Sequence, residues 1–190
     1  MISTTSSTVR TLASLTAVAA LSFSVFGCGG TETPVKEGGG EGGHPLLGKP
    51  APEVDVEVVS GEGPKSIKEA NGKVLVLDFW GTFCEPCKKS FPKYQELVDK
   101  YGGNVVVLAV SVDDPGDKKK EDLTAFASEH KAKFAIVRDK DHKAADAYGL
   151  KDMTMPSSFV IDKSGVVRHA HAGFKDDEIE TITKEIDAIK

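Results

Sequence analysis

The run Val74-Leu75-Val76-Leu77-Asp78-Phe79-Trp80 constrains this chain more than any other stretch. It is apolar at every position but one, the pattern of a strand buried on both faces. Such a strand needs cover on each side, so the chain has to build a layered α/β core. Other periodicities supply the layers. Val54, Val56 and Val58 alternate with acids, as in a half-buried strand. Asn71-Gly72 marks a turn. Phe91, Tyr94, Leu97, Val98 and Tyr101 recur at helical steps, Pro92 predicts a kink there, and Gly102-Gly103 ends the helix. Val105 to Val110, Phe134 to Val137 and Ser158 to Ile161 read as strands. Lys163-Ser164-Gly165 turns the chain into Val166 to Ala172 as a hairpin partner. A charged stretch from Asp113 to Asp122, with a solvated helix start around Lys118 to Lys120, leads into a helix over Leu123–His130. A short helix is expected over 141–149, and Ile179, Ile182, Ile186 and Ile189 line one face of a last one. The order predicts a central mixed β-sheet flanked by helices. Residues 46–190, roughly 145 of them, are enough for one proper core.

The N-terminal part reads differently. Residues 1–27 carry one charged side chain, Arg10, and Leu12 to Phe26 are apolar or small. A charged start followed by an apolar core is the pattern of an export signal. It ends in Val25-Phe26-Gly27-Cys28, which resembles a bacterial lipobox. Phe26 stands where that pattern has a smaller residue. The resemblance implies a signal peptide over 1–27 and a lipid on Cys28, which would anchor the chain to a membrane. An uncleaved transmembrane anchor is the alternative, though the stretch is short and diluted by Ser and Thr. Residues 29–44 contain seven glycines and no apolar period, so 28–45 reads as a tether reaching about 20–24 Å.

Three cysteines are present. With Cys28 assigned to lipid, Cys84 and Cys87 remain, too few for a structural framework. Removing Arg10 with the signal moves the formal charge from −5 to −6. An acidic domain without basic clusters gives no support for nucleic-acid binding.

Cys84-Glu85-Pro86-Cys87 falls between the strand ending at Trp80 and the following helix. At a helix N-terminus, free N–H groups and the helix dipole favour a thiolate, so Cys84 is expected to have a lowered pKa. Pro86 suits the first turn, where its missing N–H costs nothing. Cys87, one turn on, is close enough to form a disulfide with Cys84. The expected roles are an exposed, attacking Cys84 and a more buried, resolving Cys87. A zinc half-site would need further ligands, and the five histidines show no ligand spacing near the motif. An inert pair is the other alternative. Asp78 is a lone acid in an apolar strand, and burial would raise its pKa.

The string Phe79-Trp80-Gly81-Thr82-Phe83-Cys84-Glu85-Pro86-Cys87-Lys88-Lys89, followed by Phe91-Pro92, resembles the TlpA/ResA-type extracytoplasmic thioredoxin-like proteins. Gly48-Lys49-Pro50-Ala51-Pro52 and the Pro156 region extend the resemblance over nearly all of 46–190. It implies a thioredoxin-like fold with an N-terminal extension and a central insertion. It implies that Met155-Pro156 occupies the family's cis-proline position and that Met155 offers backbone to a substrate; a trans proline opening an edge strand is the alternative. It implies that Asp78 deprotonates Cys87, with a purely structural acid as the alternative. ResA-like members tend to carry an acid three residues after the second cysteine, where this chain has Ser90. Trp80 and Phe83 flank the motif and are expected to shape an apolar, substrate-binding rim, although core packing alone would explain Trp80. Lys88 and Lys89 either assist the thiolate or are simply solvated. His169 and His171 share one face of a strand.

The function implied is a membrane-tethered thiol–disulfide oxidoreductase that reduces disulfides of exported proteins, with apocytochrome c among the candidates. Its partners would be protein disulfides or dithiols and a membrane donor of thiol electrons. It would act as a monomer in the periplasm, without cofactor or metal. Gly29, in place of an Asp after Cys28, favours the outer membrane. A disulfide-forming oxidant uses the same residues at a different redox poise. A thiol peroxidase would need an arginine beside the cysteine, and none is near in sequence. A redox-inert lipoprotein serving as a binding module is the non-enzymatic alternative.

Overall fold

The computed structural model describes residues 43–150 and 154–190. The expected signal, Cys28 and the tether up to residue 42 lie outside the described residues. His44 packs on the domain: its ring stands edge-on to Phe159 at 5.0 Å and its Nε2 lies 3.1 Å from the Tyr148 carbonyl oxygen.

Six strands form one mixed sheet: β1 (Glu57–Ser60), β2 (Val74–Trp80), β3 (Val105–Ser111), β4 (Ala135–Arg138), β5 (Ser157–Ile161) and β6 (Val167–Ala172). Their order is β1-β4-β3-β2-β5-β6. β2, β3 and β4 run parallel, while β1, β5 and β6 pair antiparallel to their neighbours. The helices are α1 (Glu85–Tyr101), α2 (Lys120–Glu129), α3 (Lys143–Ala147) and α4 (Glu178–Ile189). β2 is buried along its whole length, as its composition demands. Its side chains alternate between two cores. Val74, Val76 and Trp80 join Phe91 and Tyr94 of α1, Phe126 of α2 and Ile182 and Ile186 of α4. Leu75, Leu77 and Phe79 join Tyr148 after α3 and Ile67 beside a 3-10 turn at Lys68–Ala70. The fold is thioredoxin-like, with helices on both faces of the sheet.

One local expectation changes. The alternation at Val54, Val56 and Val58 yields a strand only from Glu57, with a register irregularity between Val58 and Ser60. β1 is an edge strand with one partner, so Val54 and Val56 are half-buried by packing against the core on the α3 side instead of by pairing. α1 continues without interruption through Pro92. Its buried residues Phe91, Tyr94 and Leu97 each contribute roughly 1.5–3 kcal/mol, which offsets one missing backbone hydrogen bond. The helix stops where expected: Gly102 takes the left-handed conformation (φ 55°, ψ 45°) and donates its N–H to the Val98 carbonyl at 3.1 Å.

Candidate active site

The parallel strands end on the same edge of the sheet, and the chemistry gathers there, as it does in open α/β sheets. β2 ends at Trp80, Gly81-Thr82-Phe83 turn the chain, and α1 begins after Cys84 as its N-cap. Cys84 has extended backbone (φ −85°, ψ 103°), and its Sγ accepts the Cys87 N–H at 3.1 Å. An N–H of the first helical turn is therefore aimed at this sulfur, which is the interaction that lowers a thiol pKa once the pair is reduced. Cys84 and Cys87 are joined as a disulfide, their Cα atoms 5.3 Å apart. Cys84 keeps 4 % of its surface and Cys87 none. The order of accessibility is the expected one, but Cys84 is far less open than an attacking thiol was expected to be. With the disulfide closed, its sulfur is folded against the helix start.

A carboxylate that sequence reasoning missed holds this turn in place. Asp113, buried just past β3, accepts the Thr82 N–H at 2.9 Å, the Thr82 hydroxyl at 2.7 Å and the Ser111 hydroxyl at 2.9 Å. Charge-assisted hydrogen bonds of this kind are strong. They tether the residue two before Cys84 to a neighbouring strand. Phe83, next in the chain, is 70 % exposed, the most exposed large apolar side chain of the described residues. Its ring lies so close over Gly81 that a Cβ there would displace it.

Trp80 is fully buried, with its ring 4.7 Å from Phe91 and 4.8 Å from Phe126. It supports the motif from behind. Trp80, expected at the substrate-binding rim, offers no surface in this state; its even register on β2 points it under α1. Asp78 shares that face. It is completely buried, and neither carboxylate oxygen has a partner in hydrogen-bond geometry. Burial pushes its pKa well above the ordinary carboxylate range; the nearby Tyr94 hydroxyl opposes the rise and the negative charge of Glu178 adds to it. Asp78 therefore lies on the face of β2 that meets the core holding Cys84, Cys87 and Tyr94.

The Met155–Pro156 peptide is cis. β5 pairs Ser157 with Phe79, which brings Pro156 alongside the end of β2. Met155 is partly buried and packs against both cores. The Pro156 carbonyl accepts the Gly173 N–H at 2.7 Å, so that oxygen is already engaged.

The remaining candidates fall elsewhere. Lys88 pairs with Glu85 at 2.7 Å on the surface, and Lys89 is exposed. Ser90 is buried and its hydroxyl donates to the Cys87 carbonyl at 3.2 Å. His169 and His171 face α4, where Glu178 and Glu185 pair with them. Both arginines of the described residues are committed: Arg138 to Glu57 and the Lys118 carbonyl, Arg168 to Asp162. Asp113 and Glu178 carried a faint sequence signal at most, each an acid at the end of a strand or the start of a helix.

A family model described as the AhpC/TSA family matches residues 47–170. The thiol-disulfide oxidoreductase ResA of Geobacillus thermodenitrificans is 30% identical over 178 residues, covering 93% of this chain and 89% of that protein. A solved structure from Chlorobium tepidum, provisionally described as the thiol:disulfide interchange protein DsbE, superposes with a TM-score of 0.63 at 32% identity, covering 75% of this chain and 96% of the other. The pneumococcal exposed lipoprotein thioredoxin of Streptococcus pneumoniae superposes with a TM-score of 0.56 at 25% identity, over 72% of this chain and 99% of that one.

Proposed function

The chain belongs to the AhpC/TSA family and is a thioredoxin-like thiol–disulfide oxidoreductase, and on that premise we propose that it is a membrane-tethered reductase of disulfides in exported proteins. The observation that carries this reading is the Cys84–Cys87 pair at the start of α1, with the buried Asp78 on the strand behind it. In the reduced protein the Cys84 thiolate attacks a substrate disulfide, forming a mixed disulfide and releasing one substrate thiolate. Asp78 takes the Cys87 proton. The Cys87 sulfur then attacks Cys84, closing the disulfide seen in the structure and releasing the second substrate thiolate. A carboxyl held above its ordinary pKa is suited to exchanging a proton with a thiol near neutral pH.

Phe83 and the Met155-Pro156 segment form the substrate platform, an exposed aromatic beside the end of β2. The tether rests on residues 12–26, on Cys28 and on the likeness to a lipoprotein thioredoxin. Lipid on Cys28 would hold the domain at a membrane facing the periplasm, with Gly29 favouring the outer one. A membrane donor of thiol electrons would restore the dithiol. Exported proteins with paired thiols, such as apocytochrome c, are the substrate class. The test is the reduction potential together with trapping by Cys87→Ser. A potential nearer about −270 mV than about −120 mV, and mixed disulfides with exported proteins, are the expected results. A strongly oxidising potential would make the protein a donor of disulfides instead.

A further inference from the structure

Behind the disulfide, a line of polar groups crosses the sheet toward solvent. Asp78 on β2 is paired in register with Ser158 on β5, and Ser158 with His171 on β6. Neighbouring strands lie about 4.8 Å apart, so the three Cα atoms span about 10 Å. All three project to the face covered by α1 and α4. His171 Nδ1 lies 3.1 Å from Glu178 Oε1, and its Nε2 lies 2.8 Å from Glu185 Oε2. Glu185 Oε1 lies 3.2 Å from His169 Nδ1. Exposure rises along the line. Asp78 is sealed and Ser158 and Glu178 are buried, while the side chains of His171 and His169 retain 16 % and 23 % of their surface at the sheet edge.

We propose that Asp78, Ser158, Glu178 and His171 form the port through which the acid behind Cys87 exchanges its proton with solvent at the β6 edge. The proposal rests on the reading of Asp78 as the proton partner of Cys87. Burial favours the protonated carboxyl, so Asp78 has to shed a proton before it can accept one from Cys87. The path through the motif is closed by Cys87, which has no exposed surface. Glu178, whose charge is felt at Asp78 and whose Oε1 lies 3.1 Å from His171 Nδ1 without another hydrogen-bond partner, is the group assigned to pass the proton to His171, and His171 releases it to water. In the step served, the Cys87 S–H bond breaks, its electron pair stays on sulfur and forms the bond to Cys84, and the bond from Cys84 to the substrate breaks. The proton goes to Asp78 and leaves by the port, so no further oxidant or reductant is required.

The groups facing this line are Tyr94 from α1, Glu178 and Glu185 from α4, His169 from β6, and Lys175 and Asp177 from the connection before α4. Burial opposes a charge on His171, but Glu185 and Glu178 outweigh it and hold its pKa above that of an ordinary imidazole. Burial, and next to it Glu185 and Asp177, push Glu178 up, while His171 and Lys175 oppose the rise. Glu178 is thus a carboxyl able to carry a proton nearer neutrality than a solvated one.

The test is a stopped-flow reaction of the reduced full-length chain with Ellman's reagent, in a Cys28→Ser background. The first thionitrobenzoate release reports Cys84 attack, and the second reports resolution by Cys87. Glu178→Gln and His171→Ala are expected to slow the second phase about tenfold, move its pH midpoint and leave the first phase unchanged. Added imidazole is expected to restore the second phase in His171→Ala, which a packing defect would not permit. Wild-type second phases in both variants, with a slow one in Asp78→Asn, would overturn the port and leave Asp78 as base. Slow second phases without imidazole rescue would also overturn it. A wild-type second phase in Asp78→Asn would overturn both readings.

Discussion

Replacing Asp78 with Asn tests the central electrostatic statement about this fold through stability alone. In the unfolded chain an aspartate titrates near 3.9. In the folded protein burial raises the pKa well above the ordinary value, and neither oxygen has a hydrogen-bond partner to stabilise the charge. Below pH 3.9 both states hold the proton, and the group adds nothing to the pH dependence. Above it the unfolded chain gives up the proton and the folded one keeps it. Stability therefore falls by about 1.4 kcal/mol per pH unit until the folded pKa is passed. The amide introduced by Asp78→Asn does not titrate. Between pH 4.5 and 6.5 the stability difference between Asp78→Asn and wild type should then grow in favour of the variant, by at most about 1.4 kcal/mol per pH unit. With a urea slope of about 2 kcal/mol/M, that is at most about 0.7 M of midpoint separation per pH unit. Urea titrations of the full-length oxidised proteins across this range give the difference directly, since contributions from the distant surface pairs cancel. A difference that stays flat with pH would mean an ordinary carboxyl. Asp78 could then not hold the Cys87 proton near neutrality, and its role as base would fall.

Asp113→Ala leaves the Thr82 N–H and two hydroxyls without their acceptor; it should cost about 2–3 kcal/mol in urea unfolding and slow exchange at Cys84. Phe83→Ala should change stability by less than about 0.5 kcal/mol, because the ring is exposed, and should slow reduction of protein disulfides while sparing small disulfides. Iodoacetamide labelling of the reduced protein should modify Cys84 before Cys87, with a pH midpoint below that of a free thiol. Burial opposes the charge on Glu185, but hydrogen bonds to His169 and His171 outweigh it and hold its pKa at about 2. Its contribution is present above the unfolded value near 4.3 and lost as pH falls toward 2, so Glu185→Gln should destabilise at pH 7 and converge on wild type in acid, as read by urea unfolding.

The division between what was legible and what was not follows the range of the interactions. The unbroken apolar run of β2, the helical recurrence from Phe91 to Tyr101 and the Cys84-Glu85-Pro86-Cys87 junction are patterns of near neighbours, and they determined an α/β core with a redox pair at a helix start. Even the burial of Asp78 followed from its place in that run. The sequence could not say whether Val54 and Val56 would pair, because an edge strand takes its length from a partner about eighty residues away. Nor could it say that Trp80 has no free surface, which depends on Phe91 and Phe126 closing over it. The Asp113 tie to Thr82 spans 31 positions and exists only because β2 and β3 end on the same edge. The row from Asp78 through Ser158 to His171 exists only through strand register. Local periodicity chose the elements and the sulfur chemistry; strand order and register, set by packing the two cores, decided which acids stand behind it.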